Sequence, residues 1–265
     1  MTTGALIFAF NNEETDYVSM AAWCAKNVRR HLGIPVAVVT NVATAVGFDH
    51  VILVEAEAGG TRYFEDYDAT VTWHNAGRVD AYHLSPFDCT LVLDADYVVA
   101  GNSLKVLLSS PEEFLAHRWA YDVTGNTDFS EYNFFGDHRM PMWWATVMMF
   151  RRSARTQQIF EIMTMVKHNW PHYKRLYRSS SKAYRNDHAL SVALGVVNGH
   201  AVDHHGIPWK LATLEPKHKI TQTGTDSYQV EYIGATGRPQ YIQLHNQDFH
   251  ALGKQQLGEI IANSC

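Results

Sequence analysis

The chain has 265 residues, enough for one domain with a substantial core, and its 46% hydrophobic and 18% charged content is that of an ordinary globular protein. A formal net charge of -5 excludes a chain that is basic over its whole surface, while leaving room for local basic patches. Its three cysteines, Cys24, Cys89 and Cys265, are scattered without a C-x-x-C pair, which argues against a zinc ribbon or a disulfide framework and suits a reducing, cytoplasmic setting.

The first hundred residues alternate between β and α patterns. ALIFAF (5–10) predicts a first strand; it lacks a basic flank and is too short to cross a bilayer, so no membrane segment is expected. ETDYVSMAAWCAKNVRRHLG (14–33) has helical periodicity and ends in Arg29, Arg30, His31 and Gly33, a helix stop. PVAVVT (35–40) and HVILVE (50–55) read as strands, WHNAGRVDAYHL (73–84) as a helix and CTLVLDADYVV (89–99) as a strand. Strands apolar on both faces and separated by helices predict an α/β protein with a mostly parallel, Rossmann-like central sheet flanked by helices. Ligands of such sheets bind beyond the carboxyl ends of the strands.

In the second half, helices are expected at 155–168 and 186–196, with shorter strands near 118–122, 144–150, 228–233 and 240–245. Between the helices lies WPHYKRLYRSSSKAYR (170–185), aromatic, basic and loop-like. No internal repeat, low-complexity tract or linker divides the chain, so a single domain spanning 1–265 is expected.

Asp94 and Asp96 stand at the end of the apolar run 89–99. Two carboxylates this close are costly to bury without a counterion. They are either solvated at a strand end or ligands of a divalent cation such as Mn2+ or Mg2+, which prefers hard oxygens. On a strand, residues i and i+2 point the same way, so both face one ion.

Two enzyme families carry D-x-D after an apolar strand. D-A-D-Y-V (94–98) matches the D-x-D-x-[TV] signature of haloacid-dehalogenase-like phosphatases, a resemblance that implies Asp94 as nucleophile. In that family the motif ends the first strand, whereas about ninety residues precede it here. The stretch GRVDAYHLSPFDCTLVLDADYVV (77–99) resembles the glycogenin-like retaining transferases among the nucleotide-sugar glycosyltransferases of the GT-A fold. They share a basic residue on a helix about sixteen residues upstream of an hhhLDaDhhh strand.

The glycosyltransferase resemblance implies a nucleotide-binding half (1–100) and a smaller acceptor-side half (101–265). It implies that Arg78, Asp96 and Asp187 act in catalysis, that Asp94 and Asp96 hold the metal, and that Arg78 and Ala95 lie against the donor. Phe10, Asn11, Asn12 and Tyr17, with Ala9, would line the nucleoside; Thr40 and Asn41 would stand close to it. The family's third metal ligand is a C-terminal His followed by a Lys that reaches the diphosphate. LHNQDFHALGK (244–254) offers His250, four residues before Lys254, or His245. The family's Asn-Ala-Gly reads Trp144-Ala145-Thr146 here, and its Asp-Gln-x reads Asn186-Asp187-His188. Trp144, Asn186 and Asp187 would then meet the acceptor, Asp187 through a donor or acceptor hydroxyl. Otherwise Asn186 or Asp187 is simply a helix N-cap.

The segment 167–185 interleaves Lys167, Lys174, Arg175, Arg178, Lys182 and Arg185 with Trp170, Tyr173, Tyr177 and Tyr184. Such a mixture can track phosphates and stack on bases, with Lys174, Arg175 and Arg178 as contacts, or it can be a lid. Compact bacteriophage-type sugar transferases are similar in size and include enzymes that modify hydroxymethylated pyrimidines in DNA, an acceptor that would have to be flipped out of the stack. His200, His204 and His205 lack the flanking ligands of a zinc site. Trp143 and Trp209 are stacking faces or core. A binding module without catalysis is the third class of function.

Overall fold

The computed structural model describes residues 1–56, 60–64, 68–181, 183–201 and 205–263; His204, Lys182 and Cys265 lie outside these. The first half contains strands β1 (Thr3–Phe8), β2 (Val36–Thr40), β3 (His50–Leu53), β4 (Thr61–Phe64), β5 (Ala69–Thr72), β6 (Cys89–Asp94) and β7 (Tyr97–Val98). Its helices are α1 (Tyr17–Leu32) and α2 (Ala81–Leu84), the latter preceded by a 3-10 turn over Ala76–Asp80. The second half adds α3 (Lys105–Ser109), β8 (Phe114–His117), β9 (Ala120–Asp122), β10 (Phe134–Phe135), β11 (Met140–Pro141) and β12 (Trp144–Arg151). Helices α4 (Ala154–His168), α5 (Trp170–Leu176) and α6 (Asn186–Val197) follow. The chain then runs through β13 (Leu211–Leu214), β14 (Lys219–Gly224), β15 (Ser227–Ile233), β16 (Pro239–His245), β17 (Phe249–Ala251) and α7 (Lys254–Ala262).

The expected α/β class is what folds. The central sheet has the order β3-β2-β1-β6-β12-β8. β3, β2, β1 and β6 are mutually parallel, and β12 runs antiparallel between β6 and β8. Alternation along β1 sends Ala5 and Ile7 into a core shared with α1 and Leu6 and Phe8 into one shared with α4 and α6. Each fully buried Leu, Ile or Phe contributes about 1.5–3 kcal/mol. Helix α1 starts on an Asp16 side-chain cap to the Ser19 amide (3.0 Å), and it stops at left-handed Gly33, the stop its sequence predicts.

The chain winds outward from β1 to β2 and β3, then returns to place β6 on the other side of β1. In sheets of this kind such a reversal marks the ligand crevice at the strands' carboxyl ends, here those of β1 and β6, where Phe8 is paired with Asp94.

Three expectations need correction. The run 89–99 is not one strand: β6 ends at Asp94, Ala95 and Asp96 form a turn, and β7 joins a second sheet, β7-β17-β13-β9. The two aspartates are therefore brought together by a turn and not by strand alternation. The helix expected over 73–84 is confined to the 3-10 turn and α2. The segment 170–185 is not all loop, because Pro171 sits in the first turn of α5, where its fixed φ suits a helix. A third sheet, β14-β15-β16, is antiparallel. Among the described residues no helix is long and apolar enough to cross a membrane.

Candidate metal and donor site

β6 delivers Asp94, the following turn delivers Asp96, and β17 delivers His250, held beside the turn because β17 pairs with β7. The Ala251 amide donates to the Asp96 carbonyl (3.1 Å), fastening the two segments together. One ligand atom from each of Asp94, Asp96 and His250 lies within 4.8 Å of the others. His250 Nε2 is 3.3 Å from Asp96 Oδ1 and 3.8 Å from Asp94 Oδ2.

The other oxygen of each carboxylate is paired with a cation. Arg78 Nη2 donates to Asp94 Oδ1, and Lys254 Nζ to Asp96 Oδ2. Each aspartate thus turns one oxygen to a fixed positive charge and the other toward the imidazole. Adjacent ligands of an octahedral ion with bonds of about 2.1 Å stand about 3 Å apart, so small adjustments bring this donor set onto Mn2+ or Mg2+.

Burial alone would push the Asp96 carboxyl up. The Lys254 charge, then the His250 ring, overcome that and hold it well below the usual carboxylate range. Cys24, on α1, is buried; burial and then the charges of Asp96, Asp248 and Asp94 push its thiol well up, leaving it a neutral packing group.

The second layer is a chain of hydrogen bonds centred on Ala145. Arg78 Nη1 donates to the Ala145 carbonyl (2.7 Å), and the Ala145 amide donates to Asp187 Oδ1 (2.9 Å). Asp187 Oδ2 accepts from Arg185 Nη2 (2.9 Å). Asp187 is therefore linked to Asp94 through one peptide residue and one guanidinium. The N-cap position of α6 belongs to Arg185, so neither Asn186 nor Asp187 is a cap. The Asn186 side-chain Nδ2 donates to the Asn75 carbonyl (2.8 Å), tying α6 to the turn that carries Arg78.

Other expected residues fall around this centre in different ways. Phe10 and Ala95 are buried. Asn11 accepts from the Val18 amide (2.9 Å) and Asn12 from the Thr15 amide (2.8 Å), so both shape the loop between β1 and the start of α1 at Tyr17. Thr40 is buried at the end of β2, and Asn41 is exposed beyond it. Trp144 is buried against Phe129 and Tyr132. Trp143 is core, and Trp209 packs by the His117 ring.

Of the two candidate histidines, the fold brings His250 to the aspartates. His245 is exposed on β16 and bonds Ser227 Oγ (2.9 Å). His205 pairs with Glu112 (2.9 Å), and His200 lines a separate cavity with Arg139 and Tyr177. Beyond its helical start, the basic segment differs from its expected form in a second respect. Trp170 and Tyr184 are buried, Trp170 stacking on His188, and Tyr173 and Tyr177 are half-buried. The aromatic rings serve the core, while Arg175 and Arg178 are exposed and Lys174 is partly so. The role of Ala145 had no signal in the sequence, since it acts through its backbone.

No protein-family model matches the chain, and no curated protein matches it. Among solved structures it is similar to the galactosyltransferase LgtC in complex with donor and acceptor sugar analogues. That match has 14% identity over 72% of this chain and 70% of that one, with a TM-score of 0.45. Mouse xyloside xylosyltransferase 1 matches at 13% identity over 76% of this chain and 83% of that one, with a TM-score of 0.44. The glycosyltransferase GlyE of Streptococcus pneumoniae TIGR4 matches at 12% identity over 74% and 43%, with a TM-score of 0.41. At such scores the likeness carries no weight for function, and what the site does has to be read from its own residues.

Proposed function

We propose that the chain is a metal-dependent glycosyltransferase of GT-A type that moves a sugar from a nucleoside-diphosphate sugar to an acceptor hydroxyl. The observation that carries this is the pairing in the crevice: a three-ligand group of Asp94, Asp96 and His250, bracketed by the cations Arg78 and Lys254. A phosphatase of the D-x-D type needs an Asp94 free to attack phosphorus. Here Asp94 is bound by an almost fully buried arginine, which suits an electrostatic role better than a nucleophilic one.

In the transfer, the bond from the anomeric carbon to the diphosphate oxygen breaks and a bond to the acceptor oxygen forms. The acceptor's proton leaves with the departing diphosphate or to solvent. Asp94, Asp96 and His250 would hold a divalent ion, which when bound would supply Lewis-acid neutralisation of the diphosphate. Arg78 and Lys254, both buried, add fixed positive charge where negative charge grows, a preorganised stabilisation. Asp187, oriented by the Ala145 amide and Arg185, receives a sugar hydroxyl. The loop of Asn11 and Asn12 and the start of α1 at Tyr17 enclose the nucleoside. UDP as the donor nucleotide and retention at the anomeric centre follow from the resemblance of the 77–99 stretch.

For the acceptor, the exposed cations Arg175 and Arg178, with Lys174, favour a phosphate-bearing polymer, and DNA with hydroxymethylated pyrimidines is the acceptor proposed. The experiment is transfer from radiolabelled UDP-sugars, with Mn2+ or chelator, onto such DNA and onto oligosaccharide acceptors. Turnover lost with chelator and in Asp96→Ala supports the enzyme reading. Turnover that survives both sinks it. Label appearing only on oligosaccharide removes the DNA acceptor and leaves the transferase.

A further inference from the structure

We propose that the groove between α1, β14 and α7 is a second binding site, for an acidic oligosaccharide. It encloses about 910 Å3, and neither the three-ligand group nor its flanking cations line it. That volume lies within the range of small-ligand sites.

Lys26 and Arg30 from α1 and Lys217 and Lys219 from the strand side face it, against one carboxylate, Glu259. Two of these cations are already committed: Arg30 to Asp226, and Lys217 to Glu215 at 2.6 Å. Lys26 and Lys219 are exposed and form no ion pair among the described residues. The groove therefore offers an anion two ammonium groups that no carboxylate among the described residues occupies.

Asn27, also in the lining, is 3% exposed, and its side-chain nitrogen has no hydrogen-bond partner among the described residues. A buried donor left without an acceptor is costly, and a turn of the Asn27 side chain toward the groove would let a ligand oxygen satisfy it.

The remaining chemistry selects the class of ligand. Thr221 and Thr223 present exposed hydroxyls along β14. The lining aromatic, Trp23, is only 9% exposed, so a nucleobase finds no face on which to stack. Hydroxyls, amides and ammonium groups without an aromatic platform fit a chain of sugar rings bearing carboxylates. Gln256 of α7 holds the wall in place, accepting from the Ile220 amide (2.8 Å) and donating to the Pro216 carbonyl (3.0 Å). This assignment comes from the groove alone and stands apart from the reading of Asp94 and Asp96.

The test is calorimetric titration of the full chain with a glucuronate-containing tetrasaccharide and with its carboxyl-reduced, neutral counterpart. The acidic form is expected to bind and the neutral form to bind at least tenfold more weakly. The double substitution Lys26→Ala with Lys219→Ala should weaken the acidic form at least tenfold, with an unchanged melting temperature because both side chains are exposed. UDP with Mn2+ should not displace it. Equal affinity for the neutral form, equal binding by the double variant, displacement by UDP, or no binding of the acidic form would each overturn the proposal.

Discussion

Lys254, the first residue of α7, neutralises Asp96 in the turn after β6, and both side chains are buried. The pair joins the C-terminal helix to the carboxyl edge of the central sheet. Breaking a buried pair from one side leaves an uncompensated charge, which costs about 3–5 kcal/mol. Lys254→Met alone should therefore destabilise the fold by roughly that amount. Combining it with Asp96→Asn should recover part of the loss, as a urea double-mutant cycle would show. Additive losses would mean that the two side chains do not act as a pair.

The division of labour between the two C-terminal histidines is separable by activity. His250→Ala removes a nitrogen facing both carboxylates and should lower sugar transfer by about 10²–10³-fold, the usual range for a group acting on transition-state charge. His245→Ala changes an exposed side chain bonded to Ser227 and should leave transfer unaltered. Steady-state rates at saturating Mn2+ decide between them.

Asp187, besides meeting a sugar hydroxyl, should also position Arg78. Its carboxylate holds the Ala145 amide, whose carbonyl in turn holds Arg78. Asp187→Asn keeps an acceptor oxygen for that amide but loses the charge that pairs with Arg185. It should retain the fold and lose kcat, whereas Asp187→Ala should also lower the melting temperature. A melting point that is the same in both variants would remove the hydrogen-bond chain from the explanation.

His117 gives stability a pH dependence of known sign. It is fully buried in β8, bonded through Nδ1 to the Trp209 carbonyl (3.0 Å), and burial lowers its imidazole to about 4 from 6.5. Above pH 6.5 the ring is neutral in folded and unfolded chains alike, and contributes no pH dependence. As pH falls below that value the unfolded chain takes up the proton first. Stability is then lost until the folded ring titrates near 4. At about 1.4 kcal/mol per pKa unit, the loss reaches about 3 kcal/mol. Urea unfolding at pH 7 and pH 4.5 (about two units below the ordinary value, chosen to span the window) should show a smaller drop for His117→Gln than for the parent chain.

Much of the site was legible because its chemistry is local. Asp94 and Asp96 stand out as charges ending an apolar run, Arg78 lies a short helical segment upstream, and Lys254 follows His250 at close spacing. The parallel strands were equally readable, since β1, β2 and β6 are apolar on both faces. What the sequence hid was set by long-range pairing. β7 leaves the central sheet only because β17 is there to receive it, and His250 rather than His245 meets the aspartates for the same reason. The aromatic residues of 170–185 looked like a binding surface because period alone cannot tell which rings turn inward. Trp170 finds His188 across the fold. The Ala145 peptide, linking Arg78 to Asp187, has no side-chain signature at all.

The measurement that tests the central claim most directly is thermal stability of the full chain with UDP, GDP or CDP, each with Mn2+ or with chelator. Ligand at about a hundred times its dissociation constant adds roughly 2.7 kcal/mol, a shift easily seen in a melting curve. The melting point should rise only with both a nucleoside diphosphate and the metal, and the rise should disappear in Asp96→Ala. Stabilisation by a phosphoryl mimic alone, with no response to any nucleotide, would contradict it.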